Sequence, residues 1–107
     1  AVKNCLRIES FQNGSMENGS WYEEQIVHAH ASMICKGVQS QGNIEASSVL
    51  ENAIIEKDVT IRDCLIGKGA HIKQGANLTN VIVDHGAIVP KNHTQHGGRI
   101  LNAHRTQ

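Results

Sequence analysis

The chain has 107 residues, with ten basic and ten acidic side chains, so its formal net charge is zero. This length suits one domain with a modest core, and the balanced charge provides no broad field to attract nucleic acid or anionic lipid. No apolar run reaches the roughly 20 residues that cross a bilayer, and no secretory signal opens the sequence, so we expect a cytoplasmic protein. The three cysteines, Cys5, Cys35 and Cys64, form no C-x-x-C pair, and their odd number favours reduced thiols over a disulfide framework.

Residues 1–31 are predicted to be an irregular N-terminal segment or cap. They contain two Asn-Gly dipeptides, which suit tight turns, and the aromatic pair Trp21 and Tyr22. We expect this pair to cover the open N-terminal end of the repeat that follows, with contact to a partner as the alternative.

Residues 32–94 carry an internal repeat of aliphatic side chains. The spacing between these side chains is six, five and six residues, which gives a repeat unit of seventeen residues. The positions are Val38, Ile44, Val49, Ile55, Ile61, Ile66, Ile72, Leu78, Val83 and Val89. Neither a 3.6-residue helical period nor a simple two-residue alternation produces this spacing.

The repeat predicts an all-β fold, a single-stranded left-handed parallel β-helix of about four hexapeptide-like coils. In such a tube, residues seventeen apart stack as columns with the interstrand spacing of a sheet. Small residues four places after each aliphatic are expected where the corners crowd the interior, at Gly42, Ser48, Ala53, Ala70, Ala76 and Ala87, with Val59, Leu65 and Ile82 as exceptions. Residues 95–107 are predicted to be a C-terminal tail.

The sequence from Ser32 to Val89 resembles the C-terminal left-handed β-helix domain of bacterial glucose-1-phosphate adenylyltransferases (ADP-glucose pyrophosphorylases), in particular the GlgD-like subunit of Gram-positive bacteria. The motifs that carry this resemblance are "DCLIGKGA" at residues 63–70 and "LTNVIVDHGAIVP" at residues 78–90. The corner at Ala46 departs from the family pattern, which has asparagine there.

The resemblance implies an assembly and regulatory domain of a sugar nucleotidyltransferase that makes ADP-glucose for glycogen synthesis. Catalysis, with ATP and Mg²⁺, would belong to a separate N-terminal domain. The chain is then itself non-catalytic, and we assign it no catalytic, cofactor-binding or metal-binding residues. The expected partners are further copies or a paralogous subunit, with an anionic sugar-phosphate effector as an additional ligand. The alternatives are a hexapeptide-repeat acyltransferase and a generic β-helical oligomerisation module.

Histidines are the candidates for enzymatic alternatives. An acyltransferase would need one as general base, and His85 is the best placed of the seven. A zinc site like that of β-helical carbonic anhydrases would draw on His28 and His30 or on His93 and His96, which have ligand-like spacing. We interpret these side chains as exposed corner and loop residues. The remaining two are His71 and His104.

Two further sets of side chains have both a functional and a structural interpretation. Cys64 would be a reactive thiol only beside a cation such as Arg62, and a small packed residue is the preferred interpretation. Basic side chains expected to face outward could contact an anionic effector, although such residues usually form a solvated face; they are Lys57, Arg62, Lys68, Lys73 and Lys91.

Overall fold

A computed structural model describes the backbone of residues 5–8, 12–15 and 26–102, and the side chains of residue 29 and residues 31–102. These residues form a β-solenoid of about four turns, as the predicted left-handed β-helix requires. The strands are β1 (Cys5–Ile8), β2 (Gln12–Ser15), β3 (Ile26–His30), β4 (Ser32–Cys35), β5 (Gln39–Ser40), β6 (Asn43–Glu45), β7 (Ser48–Val49), β8 (Ile54–Ile55), β9 (Thr60–Arg62), β10 (Leu65–Ile66), β11 (His71–Ile72), β12 (Asn77–Thr79), β13 (Ile82–Val83), β14 (Ile88–Val89), β15 (Thr94–His96) and β16 (Arg99–Ile100). Within the described ranges, no helix is long and apolar enough to cross a membrane.

The strands stack into three sheets, one for each side of the tube. Sheet 1 has the order β1-β4-β7-β10-β13-β16, sheet 2 the order β14-β11-β8-β5, and sheet 3 the order β15-β12-β9-β6-β3-β2. Each complete turn contributes one strand to each sheet, and the complete turns pair with one another in parallel. Each corner needs a residue with positive φ, which the repeat supplies as glycine, asparagine or aspartate at most positions.

The core consists of aliphatic columns inside the three sheets. Ile44, Ile61 and Leu78 stack in sheet 3, and Ile55, Ile72 and Val89 stack in sheet 2. A third column, in sheet 1, contains Ile34, Val49, Ile66 and Val83. Every member of the three columns is at most 2% exposed. The predicted seventeen-residue columns are therefore confirmed from Ile44 onward.

The first turn departs from the predicted register. Ser40, rather than Val38, pairs with Ile55 in sheet 2. The pairing offset is fifteen residues at Ser40–Ile55 but seventeen at Asn43–Thr60, so the corner between these strands is two residues shorter in the first turn. Val38 is still buried, beside the preceding corner, where later turns have alanine. Its predicted place in the Ile55 column was wrong.

The corner between sheets 3 and 1 contains a buried polar ladder. The Ser32 hydroxyl accepts the N–H of Ser47 (3.2 Å), and the Ser47 hydroxyl accepts the N–H of Cys64 (2.9 Å). One turn later, the Cys64 sulfur accepts the N–H of Val81 (3.5 Å). The small inward residue at this corner is thus Ser47, and the prediction of Ser48 was wrong by one position because this corner is tighter than the others.

The solenoid extends on both sides of residues 32–94. Before them, β3 pairs in parallel with β6, and after them β15 and β16 pair in parallel with β12 and β13. At the N-terminal end two strands run antiparallel to their neighbours, β1 against β4 and β2 against β3. The predicted capping pair, Trp21 and Tyr22, lies outside the described residues.

The C-terminal turn ends the core with polar groups. Gln95 follows Leu78 in its column, and its side-chain amide accepts a hydrogen bond from His93 Nε2 (2.8 Å) and donates one to the Gly97 carbonyl (2.9 Å). Pro90, the only proline in the sequence, has no N–H at the edge of sheet 2, where a further strand would otherwise pair.

Candidate interaction surface

The outer face of sheet 1 carries exposed aliphatic side chains. Leu65 and Ile82 lie in register on neighbouring turns and are 41% and 44% exposed. We call this pair the Leu65–Ile82 column; Ser48 precedes it and Arg99 follows it in the same register. These two aliphatics were the exceptions in the predicted pattern of small residues, and they point outward because Cys64 and Val81 fill the corner behind them.

The outer face of sheet 2 carries a second apolar column. Ile54 and Ile88 are 37% and 55% exposed, and His71 lies between them in register. We call this set the Ile54–Ile88 column. Isolated exposed aliphatics are ordinary on protein surfaces, but aligned ones on flat sheet faces are typical of contact surfaces.

The outer face of sheet 3 is polar throughout its described part. Its two outward columns contain Asn43, Thr60, Asn77 and Thr94, and Glu45, Arg62, Thr79 and His96. Arg62 and Glu45 form an ion pair on neighbouring turns (Nε–Oε1 3.4 Å), with both side chains about half exposed. Two adjacent faces of the triangular tube are therefore partly apolar, and the third is suited to solvent.

A histidine–carboxylate pair lies within the Ile54–Ile88 face. His71 Nε2 is 2.6 Å from Glu56 Oε2, and Glu56 Oε1 accepts the N–H of Gln74 (2.9 Å). The hydrogen bond from His71, followed by that from Gln74, holds the pKa of Glu56 below its ordinary value. This pair was not predicted, although the sequence contains its signal: fifteen residues separate diagonal neighbours on successive seventeen-residue turns.

A shallow groove of about 540 Å³ runs beside the Leu65–Ile82 column. Its wall is the corner between sheets 3 and 1, with Asp63 and Asn80, and Arg99 lies at its C-terminal end. The groove thus combines an aliphatic floor with a carboxylate, an amide and a guanidinium. Such a mixed lining fits a protein contact better than the enclosed apolar pocket of a small ligand.

His85, the candidate general base, takes part in the stacking of corners. Its Nδ1 accepts the N–H of Lys68 one turn earlier (2.8 Å), and its own N–H donates to Asp84 Oδ1 (2.9 Å). The carbonyl of His85 accepts a hydrogen bond from the side chain of Asn102 (3.0 Å). These contacts give the side chain a structural role in joining consecutive turns.

The cysteines occupy different environments. Cys64 is a free, buried thiol whose sulfur donates to the Arg62 carbonyl (3.1 Å), and burial raises its pKa, which opposes reactivity. The Arg62 guanidinium is paired with Glu45. Cys35, by contrast, is disulfide-bonded, so the expectation of reduced thiols is wrong for this residue.

The other predicted sites do not assemble into one cluster. His93 occupies an inner corner position and His96 an outward position of sheet 3, and across the described side chains no three metal-ligand residues come together. The side chains of His28 and His30, and the whole of His104, lie outside the description. Of the predicted basic residues, Lys57, Lys73 and Lys91 lie at the corner between sheets 2 and 3 on successive turns, and Arg62 lies on the outer face of sheet 3. Lys68 lies at the corner between sheets 1 and 2, where it shares a surface cavity of about 450 Å³ with Lys36, a residue that was not predicted.

Comparison with known families gives a match over most of the chain. The sequence pattern of the family described as "GlmU-like, C-terminal hexapeptide" matches residues 20–97, which is well over half of the chain. No curated protein matches the sequence closely enough to count as a relative.

Proposed function

Because this chain belongs to the family of GlmU-like C-terminal hexapeptide domains, we propose that it is the assembly domain of a sugar nucleotidyltransferase and contributes no catalytic residue itself. The finer proposal is a glucose-1-phosphate adenylyltransferase-like subunit acting in the cytoplasm. ATP and Mg²⁺ would be used by a separate catalytic domain, and no residue of this chain is assigned to them.

The main support for an assembly role is the distribution of apolar side chains on the outside of the tube. The Leu65–Ile82 and Ile54–Ile88 columns lie on adjacent faces, whereas the outer face of sheet 3 is polar. Burying these aliphatics against a second copy or a paralogous subunit removes apolar area from water at little entropic cost, since short strands already hold them in place.

Placing the sheet 1 face of one copy against the sheet 2 face of the next is a heterologous contact, which closes into a ring when the rotation permits. Such a contact would place the groove beside Leu65 and Ile82 at the interface, and Arg99 at its rim, where a charged residue is tolerated. At the C-terminal turn, Pro90 has no N–H to donate to a further strand of sheet 2, which disfavours end-to-end pairing at that edge and favours association through the sides of the tube.

The assembly proposal is tested by measuring the molar mass of the chain with sedimentation equilibrium. We expect an oligomer for the unchanged chain and a monomer for the double variant Leu65→Glu/Ile82→Glu. The matched control, Thr60→Glu/Thr79→Glu, places two carboxylates on the polar face of sheet 3 and should retain the oligomer. A monomeric unchanged chain, or equal dissociation of both variants, would overturn the proposal.

The ADP-glucose assignment needs a separate assay on the full gene product. It should convert ATP and glucose 1-phosphate into ADP-glucose and pyrophosphate, or stimulate a catalytic paralogue that does so. If the isolated chain instead bound coenzyme A, as followed by calorimetry, the acyltransferase alternative would replace this assignment.

A further inference from the structure

We propose that a disulfide between Cys5 and Cys35 is a redox-sensitive clamp, which holds β1 against the N-terminal edge of sheet 1. This inference is independent of the proposed assembly role, because it concerns the opposite end of sheet 1 from Arg99 and neither of the two apolar columns. In the proposed cytoplasmic setting the bond would be exposed to thiol reductants.

The pairing follows from the strand register and from the number of cysteines. Cys35 is disulfide-bonded and Cys64 is free, so Cys5 is the one cysteine left as a partner. In the antiparallel pair β1–β4, Cys5 lies opposite Cys35. Opposite residues on antiparallel strands have Cα atoms about 4.5–5.5 Å apart, within the range of about 4.4–6.8 Å that a disulfide spans.

The clamp would protect a strand that otherwise lies at an edge. β4 is the first parallel strand of sheet 1, and β1 pairs with it over four residues, from Cys5–Cys35 to Ile8–Ser32. Ser32, Ile34 and Cys35 of β4 are buried. Without β1, the edge of β4 would present backbone groups to solvent or to another chain.

The bond is a suitable control point because about thirty residues separate its two ends along the sequence. Once it is broken, β1 is retained only by its hydrogen bonds and packing with β4, so its separation becomes more frequent. The reaction is a thiol–disulfide exchange with a dithiol reductant: the S–S bond breaks, the two cysteines gain two electrons and two protons as thiols, and the reductant becomes a disulfide. Because Cys35 is buried, a reductant reaches its sulfur only after local opening of the chain around it.

The first measurement is a thiol count on the chain purified without reductant, then denatured and alkylated with iodoacetamide. We expect one alkylated cysteine, Cys64, before reduction with dithiothreitol and three afterwards. Peptide mapping should recover the Cys5–Cys35 crosslink. Three reactive thiols in the unreduced chain, or a crosslink that includes Cys64, would overturn the pairing.

The second measurement tests the clamp by amide hydrogen exchange. Reduction should accelerate exchange in β1 and β4 by about tenfold or more, while β10 and β13 in the middle of sheet 1 stay protected. The variant Cys5→Ser should show the same pattern without reductant, and the control Cys64→Ser should not. If Cys5→Ser fails to fold, the reduced unchanged chain still gives the comparison. Unchanged exchange in β4 after reduction would show that the bond does not hold the edge closed.

Discussion

Two glycines of the same corner, Gly67 and Gly69, are required for different physical reasons, and alanine substitution separates them. A Cβ atom on Gly67 would lie 2.6 Å from the backbone nitrogen of His85 and 2.7 Å from the carbonyl carbon of Asp84, one turn later. A Cβ atom on Gly69 would meet nothing within 4 Å, but the residue has a φ of +66°. Gly67→Ala therefore tests the contact between turns, and Gly69→Ala tests backbone conformation.

The expected cost of Gly67→Ala follows from how far the two turns must separate. Ordinary contact begins near 3.4 Å, so the backbone at His85 must move by about 0.8 Å. The hydrogen bond from the Gly67 N–H to the Val83 carbonyl, now 2.9 Å, would then stretch beyond the usual range. Losing one or two such bonds at about 1 kcal/mol each, together with overpacking strain of about 1–3 kcal/mol, gives a total near 3 kcal/mol.

Gly69→Ala should cost only about 1 kcal/mol, the penalty for an L-residue in the left-handed region. Gly69→Asn is the matched control, because Asn52 holds the same corner position one turn earlier with a φ of 64°. Asparagine tolerates this conformation, so its cost should be smaller than that of alanine.

Urea unfolding followed by far-ultraviolet circular dichroism measures these differences in the free energy of unfolding. We expect the loss of stability to rank Gly67→Ala above Gly69→Ala, and Gly69→Asn last. Equal losses for the two alanine variants would refute the claim that the turns are in backbone contact at Gly67.

Two further predictions concern the core and the Glu56–His71 pair. Ile66→Asp places a carboxylate in a fully buried column and should abolish the folded circular dichroism signal, whereas Lys68→Asp, on an exposed corner, should change the thermal midpoint little; similar melts for both would contradict the assignment of inward and outward residues. Because the pKa of Glu56 is lowered on folding, its contribution is present above its ordinary value of 4.5 and is lost as the pH falls through the lower folded value. Glu56→Gln should therefore weaken the dependence of stability on pH below about 4.5, and an unchanged profile in urea unfolding at several pH values would show that the pair contributes nothing.

The seventeen-residue repeat was sufficient to predict the fold and most of the core. Ile55 and Ile72 share a column because, after the first turn, equivalent corners of successive turns have the same number of residues. The prediction failed at Val38, where the shorter corner after Ser40 changes the register within one turn. The spacing between aliphatic residues does not reveal such a change, because Val38, two residues before Ser40, is also buried.

The surface features were harder to predict because they depend on neighbours in adjacent turns. Leu65 and Ile82 stood out in the sequence only as irregularities, and their outward direction became clear once Cys64 was placed in the corner. The sequence between Cys5 and Cys35 shows no periodicity, so neither β1 nor the disulfide was predicted. Glu56 and His71 are fifteen residues apart, which is two fewer than the length of a turn. Predicting their contact would have required the turn length to be combined with this two-residue offset along the strand.

The polar ending of the last turn has a consequence for how domains of this kind vary in size. Gln95, His93 and Pro90 give the last described turn a polar end, while each earlier complete turn pairs its strands with those of the turns directly before and after it. The number of turns and the chemistry of the terminus are thus encoded in separate stretches of sequence. An in-frame duplication of seventeen residues in the middle should therefore lengthen the tube by one turn and leave its polar end unchanged.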